Sequence, residues 1–566
     1  MNARKAIWCC LAGVVIGSVA RAQSAPQYAF RITFTDKKGT EDLNFPLTFL
    51  SARSLARRTT HHISVDSTDL PVSPDYTDSV VKLTGGIIHV TSRWLNDRVF
   101  LLADSSLMSN IRHKPYVSGT QFIAYYPAGL HNRNSKSTKF SREERTVSPL
   151  NNTTAGSATY YGQTYAQTVM VNGDYLHDAG LKGQGMLIAV IDAGFIDVNT
   201  HAGFDSLRSS GRLLDIHNFV HHNEDIYSYD THGMEVLSTL AGYLPGLYVG
   251  SAPLAQYALY VTEDNNSEQP IEMDNMLAAT ERADSMGADV ISVSLGYNTF
   301  DNDVPLFGLT YADLNGTGTV ADKAANIATT KGILYVASAG NEGGNSWNHI
   351  LTPGDADSSL TVGAVDVNRV YVGFSGHGPN AAGVQKPDMC DLGADVSIFI
   401  SGPGDRLAVG SGTSFSTPQI AGWSACLLQG SKAATPYLIR NAIIRSADHY
   451  STPNNDIGYG IPDFSLAAHL LVVPDTPADT SGSWITVTPN PFTTLLKVTL
   501  RLPTVQMVTF QLMDVSGRII MNYQQLIDTW NTRNVRLPVP DGLPGGIYLL
   551  KVSAATQQQV VKLVRS

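Results

Sequence analysis

Three short segments hold residue types that together would turn a hydroxyl into a nucleophile. Val190-Ile191-Asp192-Ala193-Gly194-Phe195 sets a carboxylate at the end of an apolar run. Asp230-Thr231-His232-Gly233-Met234-Glu235-Val236-Leu237-Ser238 sets an imidazole where a helical pattern begins. Gly410-Ser411-Gly412-Thr413-Ser414-Phe415-Ser416-Thr417-Pro418 sets a hydroxyl ahead of an apolar helix predicted from Gln419 to Gln429. A carboxylate at the C-terminal end of a buried parallel strand lies where open α/β sheets build their sites. Taken singly, Asp192 reads equally as a turn cap and His232 as a structural histidine. A serine before Pro418, a residue tolerated in a first helical turn, lies at a helix N-terminus, where free N–H groups favour developing negative charge. Ser416 or Thr417 as a plain N-cap is the alternative there.

The chain order Asp192, His232, Ser414 separates subtilisin-type serine hydrolases from two other triad arrangements. No Gly-x-Ser-x-Gly elbow surrounds Ser414, which counts against an α/β-hydrolase. On these motifs, roughly residues 160–470 resemble the subtilisin family of serine peptidases. Ala337-Ser338-Ala339-Gly340-Asn341-Glu342-Gly343 is similar to the family's oxyanion-hole segment. Gly250-Ser251-Ala252-Pro253 and Phe374-Ser375-Gly376-His377-Gly378-Pro379 fall at similar structural turns.

The chemistry follows from the residue types. His232, near neutral pKa, suits removal of the Ser414 proton, and Asp192 would fix the imidazole tautomer and stabilise the imidazolium. The resemblance implies that the Asn341 amide and the Ser414 backbone N–H hold the oxyanion. It further implies that Ser294-Leu295-Gly296 is an exposed strand end pairing with extended substrate, with Ser338, Ala339 and Gly340 in the opposite wall of the pocket. Glu342 either biases the pocket mouth toward basic residues or makes a surface salt bridge.

Two departures from the family pattern stand out. Met234 and Glu235 occupy the usual Thr and His positions, so Glu235 either perturbs the His232 pKa or faces solvent. Ala241 to Val249 lacks the Asn- and Asp-type oxygens of the family's common calcium loop. Asp301, Asp303 and Asp313 offer another calcium cluster, or simply solvated turns. No metal ligand is assigned, and the chemistry requires no cofactor.

The elements that must position these groups are legible as well. Leu187–Ile191, Tyr257–Val261, Val290–Ser294 and Ile333–Ala337 read as buried strands, with helical stretches at Ile271–Met286 and Thr319–Thr330. Continuous apolar strands separated by helices predict a parallel sheet covered on both faces, an α/β fold.

The chain has 566 residues, 43% hydrophobic and 16% charged, enough for several packed domains. Its net charge of −10 argues against nucleic-acid binding and is unevenly spread. Residues 23–150 carry 16 basic against 11 acidic side chains, whereas residues 151–471 carry 12 against 33. Arg4 and Lys5, the apolar run Ala6–Ala20 and Ala20-Arg21-Ala22 have the layout of a secretory signal, expected to be cleaved after Ala22, and no membrane span is expected in the mature chain. Cys390 and Cys426 would then remain, either paired or as two buried thiols.

Residues 23–150 are expected to form a prodomain with a cleavable polar linker, and residues 151–471 the peptidase domain. Residues 472–483 read as a linker, and 484–566 as a small β-sandwich. Phe49-Leu50-Ser51-Ala52-Arg53 and Ser92-Arg93-Trp94-Leu95-Asn96 resemble subtilase propeptides, implying a small α+β chaperone and intramolecular inhibitor that plugs the cleft. Its basic charge favours docking on the acidic block. Self-cleavage is expected within 131–160. The tail, with Val487-Thr488-Pro489-Asn490-Pro491-Phe492, Met513-Asp514-Val515-Ser516-Gly517-Arg518 and Gly546-Ile547-Tyr548-Leu549-Leu550-Lys551-Val552, is similar to sorting domains read by the type IX (Por) secretion machinery. An exported, surface-held or released endopeptidase acting on polypeptides is the leading expectation. A catalytically dead adhesive relative and an esterase with the same triad are the rivals.

Overall fold

The computed structural model describes residues 26–127, 145–146, 157–301, 308–402, 404, 406–472, 484–493, 496–500, 506–527, 534–537, 539–540, 542–554 and 558–565. The signal segment, Asp303, most of the 131–160 cleavage window and the linker from 473 to 483 lie outside the described residues. The chain divides into two compact units between Val472 and Val473.

The first unit opens with a four-stranded antiparallel sheet. Its strands β1 (Gln27–Phe34), β2 (Ile87–Ser92), β3 (Asp97–Leu102) and β4 (Val117–Tyr126) run in the order β2-β3-β1-β4. Helix Ala52–Thr60 is capped by Ser51, whose hydroxyl accepts from the Ser54 N–H. Helix Pro74–Thr84 is capped by Ser73, has Pro74 in its first turn and ends on Gly85 at φ 64°. Phe30, Ile32, Phe34, Val80, Phe100 and Leu102 form the core of this layer. The expected small α+β fold is what this segment forms.

Ala29, Val90, Trp94, Val99 and Ile123 point the other way and pack with Ile271, Met273, Met276 and Leu277 of the helix Ile271–Met286. Around that apolar seam the charges pair. Arg31 meets Asp274 at 2.6 Å, Arg58 meets Asp284 at 2.7 Å, Arg53 meets Asp289 at 2.5 Å, and Arg57 also pairs with Asp284. Arg93 reaches Glu281 at 3.4 Å. The basic excess of one segment is thus spent on the acidic excess of the next, as complementary fields require. The described prodomain residues dock on this helix; residues 128–144 lie outside the described residues.

After the short strand β5 (Arg145–Thr146) comes the central α/β layer. Its strands are β6 (Leu187–Asp192), β7 (Leu213–Asn218), the small hairpin β8 (Tyr243–Leu244) and β9 (Tyr248–Val249), β10 (Gln256–Val261), β11 (Val290–Val293), β12 (Leu334–Ser338), β13 (Leu360–Val365) and β14 (Met389–Leu392). Seven of them form one sheet in the order β14-β13-β12-β11-β6-β10-β7, parallel throughout. One face carries the helices Ile271–Met286 and Val320–Thr330, the second begun by a Thr319–Asp322 capping box. The other carries His232–Ala241 and Thr413–Gly430. An antiparallel hairpin, β15 (Val396–Ile400) and β16 (Arg406–Gly410), leads into that last helix.

The second unit has two antiparallel sheets around one core of Leu496, Val498, Phe510, Leu512, Leu550 and Leu563. β17 (Ile485–Thr488), β18 (Leu496–Leu500) and β21 (Asn534–Leu537) form one sheet. β19 (Gln506–Asp514), β20 (Ile519–Ile527), β22 (Gly546–Ser553) and β23 (Gln558–Arg565) form the other, in the order β20-β19-β22-β23. Among the described residues no helix is long and apolar enough to cross a membrane. Cys390 and Cys426 are separate, buried thiols, and burial pushes both pKa values up, away from the thiolate.

Candidate active site

β6 ends on Asp192, and the helix His232–Ala241 starts on His232. Two glycines let these ends touch. A Cβ on Gly194 would lie 2.3 Å from the Asp230 nitrogen, and one on Gly233 would lie 2.4 Å from the Gly194 carbonyl. His232 Nδ1 meets Asp192 Oδ1 at 2.6 Å, and the Ala193 N–H donates to the same oxygen at 2.8 Å. With Nδ1 committed to the carboxylate, proton exchange falls to Nε2.

Burial pushes the Asp192 carboxyl up, and the charge and hydrogen bond of His232 pull it back. Burial also works against a charged His232, but Asp192, its hydrogen bond, Glu235 and Asp230 outweigh it. The His232 pKa is therefore raised. Glu235 is buried rather than solvent-facing, and it acts on the base.

Ser414 lies in the first turn of an 18-residue helix that begins at Thr413, earlier than the predicted start at Gln419. Pro418 is inside this helix, and Gly412 is its N-cap. Ser416 and Thr417 do not cap; their hydroxyls donate back to the Thr413 carbonyl at 3.1 and 2.8 Å. Proline has no N–H to offer the carbonyl one turn earlier. The Ser414 carbonyl instead accepts from Ser294 Oγ at 2.8 Å, and the Ser414 hydroxyl donates to the Ser294 carbonyl at 3.3 Å. The Ser414 N–H is among the first four helix amides, which have no intrahelical acceptor.

Asn341 is exposed beside this turn. Its Oδ1 accepts from the Thr413 N–H at 2.9 Å and from Thr413 Oγ1 at 3.1 Å. Thr413 Oγ1 in turn accepts from the Gly340 N–H at 3.2 Å. With Oδ1 doubly engaged, Nδ2 serves as the amide's donor end, lying next to Gly412. Thr413 is the positioning residue that inspection of the sequence passed over.

The exposure expected of one substrate wall needs correction. Ser294 and Leu295 are only 2% and 3% exposed, so this strand end is not an exposed side-chain surface. The strand proper stops at Val293; Ser294 is tied to Ser414, and the Leu295 carbonyl accepts from Ser338 Oγ at 3.2 Å. The opposite wall is equally closed, with Ser338 and Ala339 buried and Gly340 at φ +93°. Between the walls stands Leu351, unmarked by any sequence pattern. A Cβ on Gly296 would lie 2.7 Å from its Cβ, and one on Gly340 2.5 Å from its Cγ. Glu342 is half-buried at the edge, and burial raises its carboxyl pKa.

For a cation, the Ala241–Val249 segment does not fit, since it forms the β8–β9 hairpin without a carboxylate. Asp301 accepts from the Glu268 N–H, and Asp313 closes a capping box with Thr310, so both serve their own loops. Glu263, Glu268 and Glu272 bring oxygens within 4.8 Å of one another, but Glu263 already accepts from Tyr297 and Glu272 from the Asp264 and Gln269 N–H groups.

Residues 183–460 match the model of the subtilase family, peptidase S8. The central block belongs to that family. Residues 29–141 match the peptidase S8 propeptide domain of Bacteroidota, and residues 486–566 the secretion-system C-terminal sorting domain. The sorting domain assigns the chain an exported fate, released or held at the cell surface. Among curated relatives of the subtilase block, a thermophilic serine proteinase of Bacillus sp. (strain AK1) is 30% identical over 289 residues, 51% of this chain and 62% of that protein. This chain therefore spans less than two thirds of that relative's length. Subtilisin BL of Lederbergia lenta is 28% identical over 279 residues, 49% of this chain and 89% of that protein. Subtilisin E of Bacillus subtilis (strain 168) is 28% identical over 308 residues, 52% of this chain and 70% of that protein.

Proposed function

We propose that this protein is an exported serine endopeptidase that cuts polypeptides through an acyl-enzyme on Ser414. The supporting observation is the buried 2.6 Å Asp192–His232 hydrogen bond, with the His232 ring 6.2 Å from that of Phe415, next in the chain to Ser414 in the first turn of its helix, and an asparagine whose amide orientation Thr413 dictates. His232 Nε2 takes the Ser414 proton as Oγ attacks the scissile carbonyl. Asp192 stabilises the imidazolium that forms, and the Asn341 Nδ2 and Ser414 N–H groups receive the oxyanion. His232 then protonates the departing amine, and water repeats the sequence on the acyl-enzyme. No step draws on a metal or cofactor.

Leu351 shortens the pocket between Gly296 and Gly340, which favours a small side chain before the scissile bond. The prodomain docks by charge and acts as the intramolecular inhibitor until the linker is cut, and the tail engages the type IX secretion machinery.

A serine-directed fluorophosphonate applied to the processed protein and to a Ser414→Ala precursor tests this reading, alongside peptide-library cleavage. Ser414-dependent labelling with peptide hydrolysis, and an uncleaved Ser414→Ala precursor, are expected. Labelling without peptide cleavage would make it an esterase. No labelling would make it an inactive relative.

A further inference from the structure

The prodomain and the central block together enclose a cavity of about 190 Å³. Ala56 and Arg57 of the helix Ala52–Thr60, with its C-cap His61, form one side. Met186, Leu428, Lys432 and Pro436 form the other. Met186 precedes β6, whose other end carries Asp192, and Leu428 lies near the far end of the helix that begins beside Ser414. The cavity is therefore at the opposite end of the sheet from the triad.

The arginines beside it are already answered. Arg53 pairs with Asp289 and donates to the Gly185 and Gly287 carbonyls, and Arg57 pairs with Asp284 and donates to the Ala288 and Lys331 carbonyls. Three features are not. Lys432 is exposed and has no partner among the described residues. The helix Pro436–Ser446, capped by Thr435, begins at the cavity wall with no acidic residue in its first turn, so its positive end meets no carboxylate. His61 has a buried Nδ1 without a hydrogen-bond partner. Gly332, at φ +90°, lets that ring lie against the central block, since a Cβ there would be 3.2 Å from His61 Cδ2. Burial and then the charge of Arg57 push the His61 pKa down, so the ring is neutral at neutral pH and can donate from Nδ1.

One free cation, a helix N-terminus and one ring N–H suit a single carboxylate, whereas Ala56, Met186, Leu428 and Pro436 suit a short apolar body. A cavity of about 150 Å³ takes up a benzene ring, so an anion the size of benzoate or hexanoate matches this one. We propose that the cavity is an effector site for a small organic carboxylate, which binds only while the prodomain is docked and so delays its release. A ligand that needs both walls must strengthen their association by the free energy of its own binding. The regulatory consequence rests on the reading of the prodomain as intramolecular inhibitor; the binding itself does not.

The Ser414→Ala precursor, expected to stay uncut, is titrated calorimetrically with sodium benzoate and sodium hexanoate at constant ionic strength. Saturable binding of one anion per chain is expected. Ala56 and Lys432 are exposed, so substitution there leaves the fold intact. Ala56→Leu, which fills the cavity, and Lys432→Ala, which removes its free cation, should each weaken binding about tenfold. Inorganic phosphate should bind about tenfold more weakly than hexanoate, having no apolar body. Hydrogen–deuterium exchange of residues 52–60 should slow when benzoate is added, because the ligand holds that helix against the central block. No saturable binding, or binding unchanged in both variants, would overturn the site. Phosphate binding as tightly as hexanoate would overturn the apolar part of the ligand. Equal binding to the processed protein freed of its prodomain, or unchanged exchange at 52–60, would overturn the link to docking. Absence of hydrolysis by the wild-type protein would overturn the peptidase reading, and the titrations, which need no turnover, would still decide the site.

Discussion

Ser294 and Ser414 exchange hydrogen bonds, each hydroxyl donating to the other's carbonyl, at 2.8 Å from Ser294 and 3.3 Å from Ser414. The exchange exists because Pro418 cannot serve the Ser414 carbonyl from within the helix. Ser294→Ala strands that buried carbonyl. It should cost about 1–3 kcal/mol in urea unfolding and also lower kcat, because the nucleophile's turn loses its anchor. Unchanged stability and turnover would show that the carbonyl finds another donor.

Asn341→Ala should leave KM close to its starting value and reduce kcat on the order of 10²–10³-fold, a magnitude measured on a related subtilisin rather than derived from this geometry. Thr413→Val, which removes the hydroxyl linking Asn341 to Gly340, should give a smaller loss in the same direction. A kcat unaffected by Asn341→Ala would remove it from the oxyanion site.

Glu235→Gln tests the raised pKa of the base. Glu235 is buried, and its charge favours the imidazolium of His232. The neutral side chain should lower the His232 pKa. The enzyme needs His232 neutral, so the acid limb of kcat/KM should move to lower pH in the variant. An unshifted limb would separate Glu235 from the base.

Leu351→Gly should deepen the pocket and shift library preference before the scissile bond from small toward large side chains. Gly296 and Gly340 both touch Leu351, so the space vacated lies between the two walls. Identical cleavage profiles for the two proteins would place the pocket elsewhere.

Prodomain docking should weaken in acid. His89 of β2 hydrogen-bonds Asn275 at 3.0 Å and stacks edge-on to His222, which lies 3.3 Å from His217. Burial, then the charges of His222 and His221, push His89 down to about 3, and burial with Arg282 and His222 pushes His217 down to about 4, against the pull of Asp215. Released, His89 returns to an ordinary value of about 6.5. Its contribution to docking is thus fully present above that value and is lost as pH falls toward 3. Dissociation of the cleaved prodomain, followed by peptidase activity assayed after return to neutral pH, should quicken between pH 6.5 and 4, and His89→Gln should flatten that dependence. An equal pH slope in the variant would place the sensitivity in other groups.

Much of this molecule was legible along the chain because its information is local. Apolar periodicity marked Ile271–Met286 at its observed limits, and four of the seven sheet strands. Of the other three, β7 escaped notice because it is an edge strand with alternating exposure, while β13 and β14 went unmarked although both are buried. The order of Asp192, His232 and Ser414 was readable because each group sits at the end of a regular element, where a sequence motif and a position in the fold coincide. The opposed charges of the prodomain and the central block were likewise visible by counting.

Only the tertiary structure decided the rest. Leu351 lying against Gly296 and Gly340, Thr413 turning an amide, Ser294 replacing an N–H that Pro418 lacks and His89 meeting His222 all join residues whose separation follows no helical or strand period. The same holds for the helix start. Thr413 becomes helical because Asn341, a residue from another loop, takes its N–H. Sequence determined which groups exist and which elements carry them. Packing determined which group each one faces, since burial and hydrogen-bond partners come from chain segments that meet only on folding.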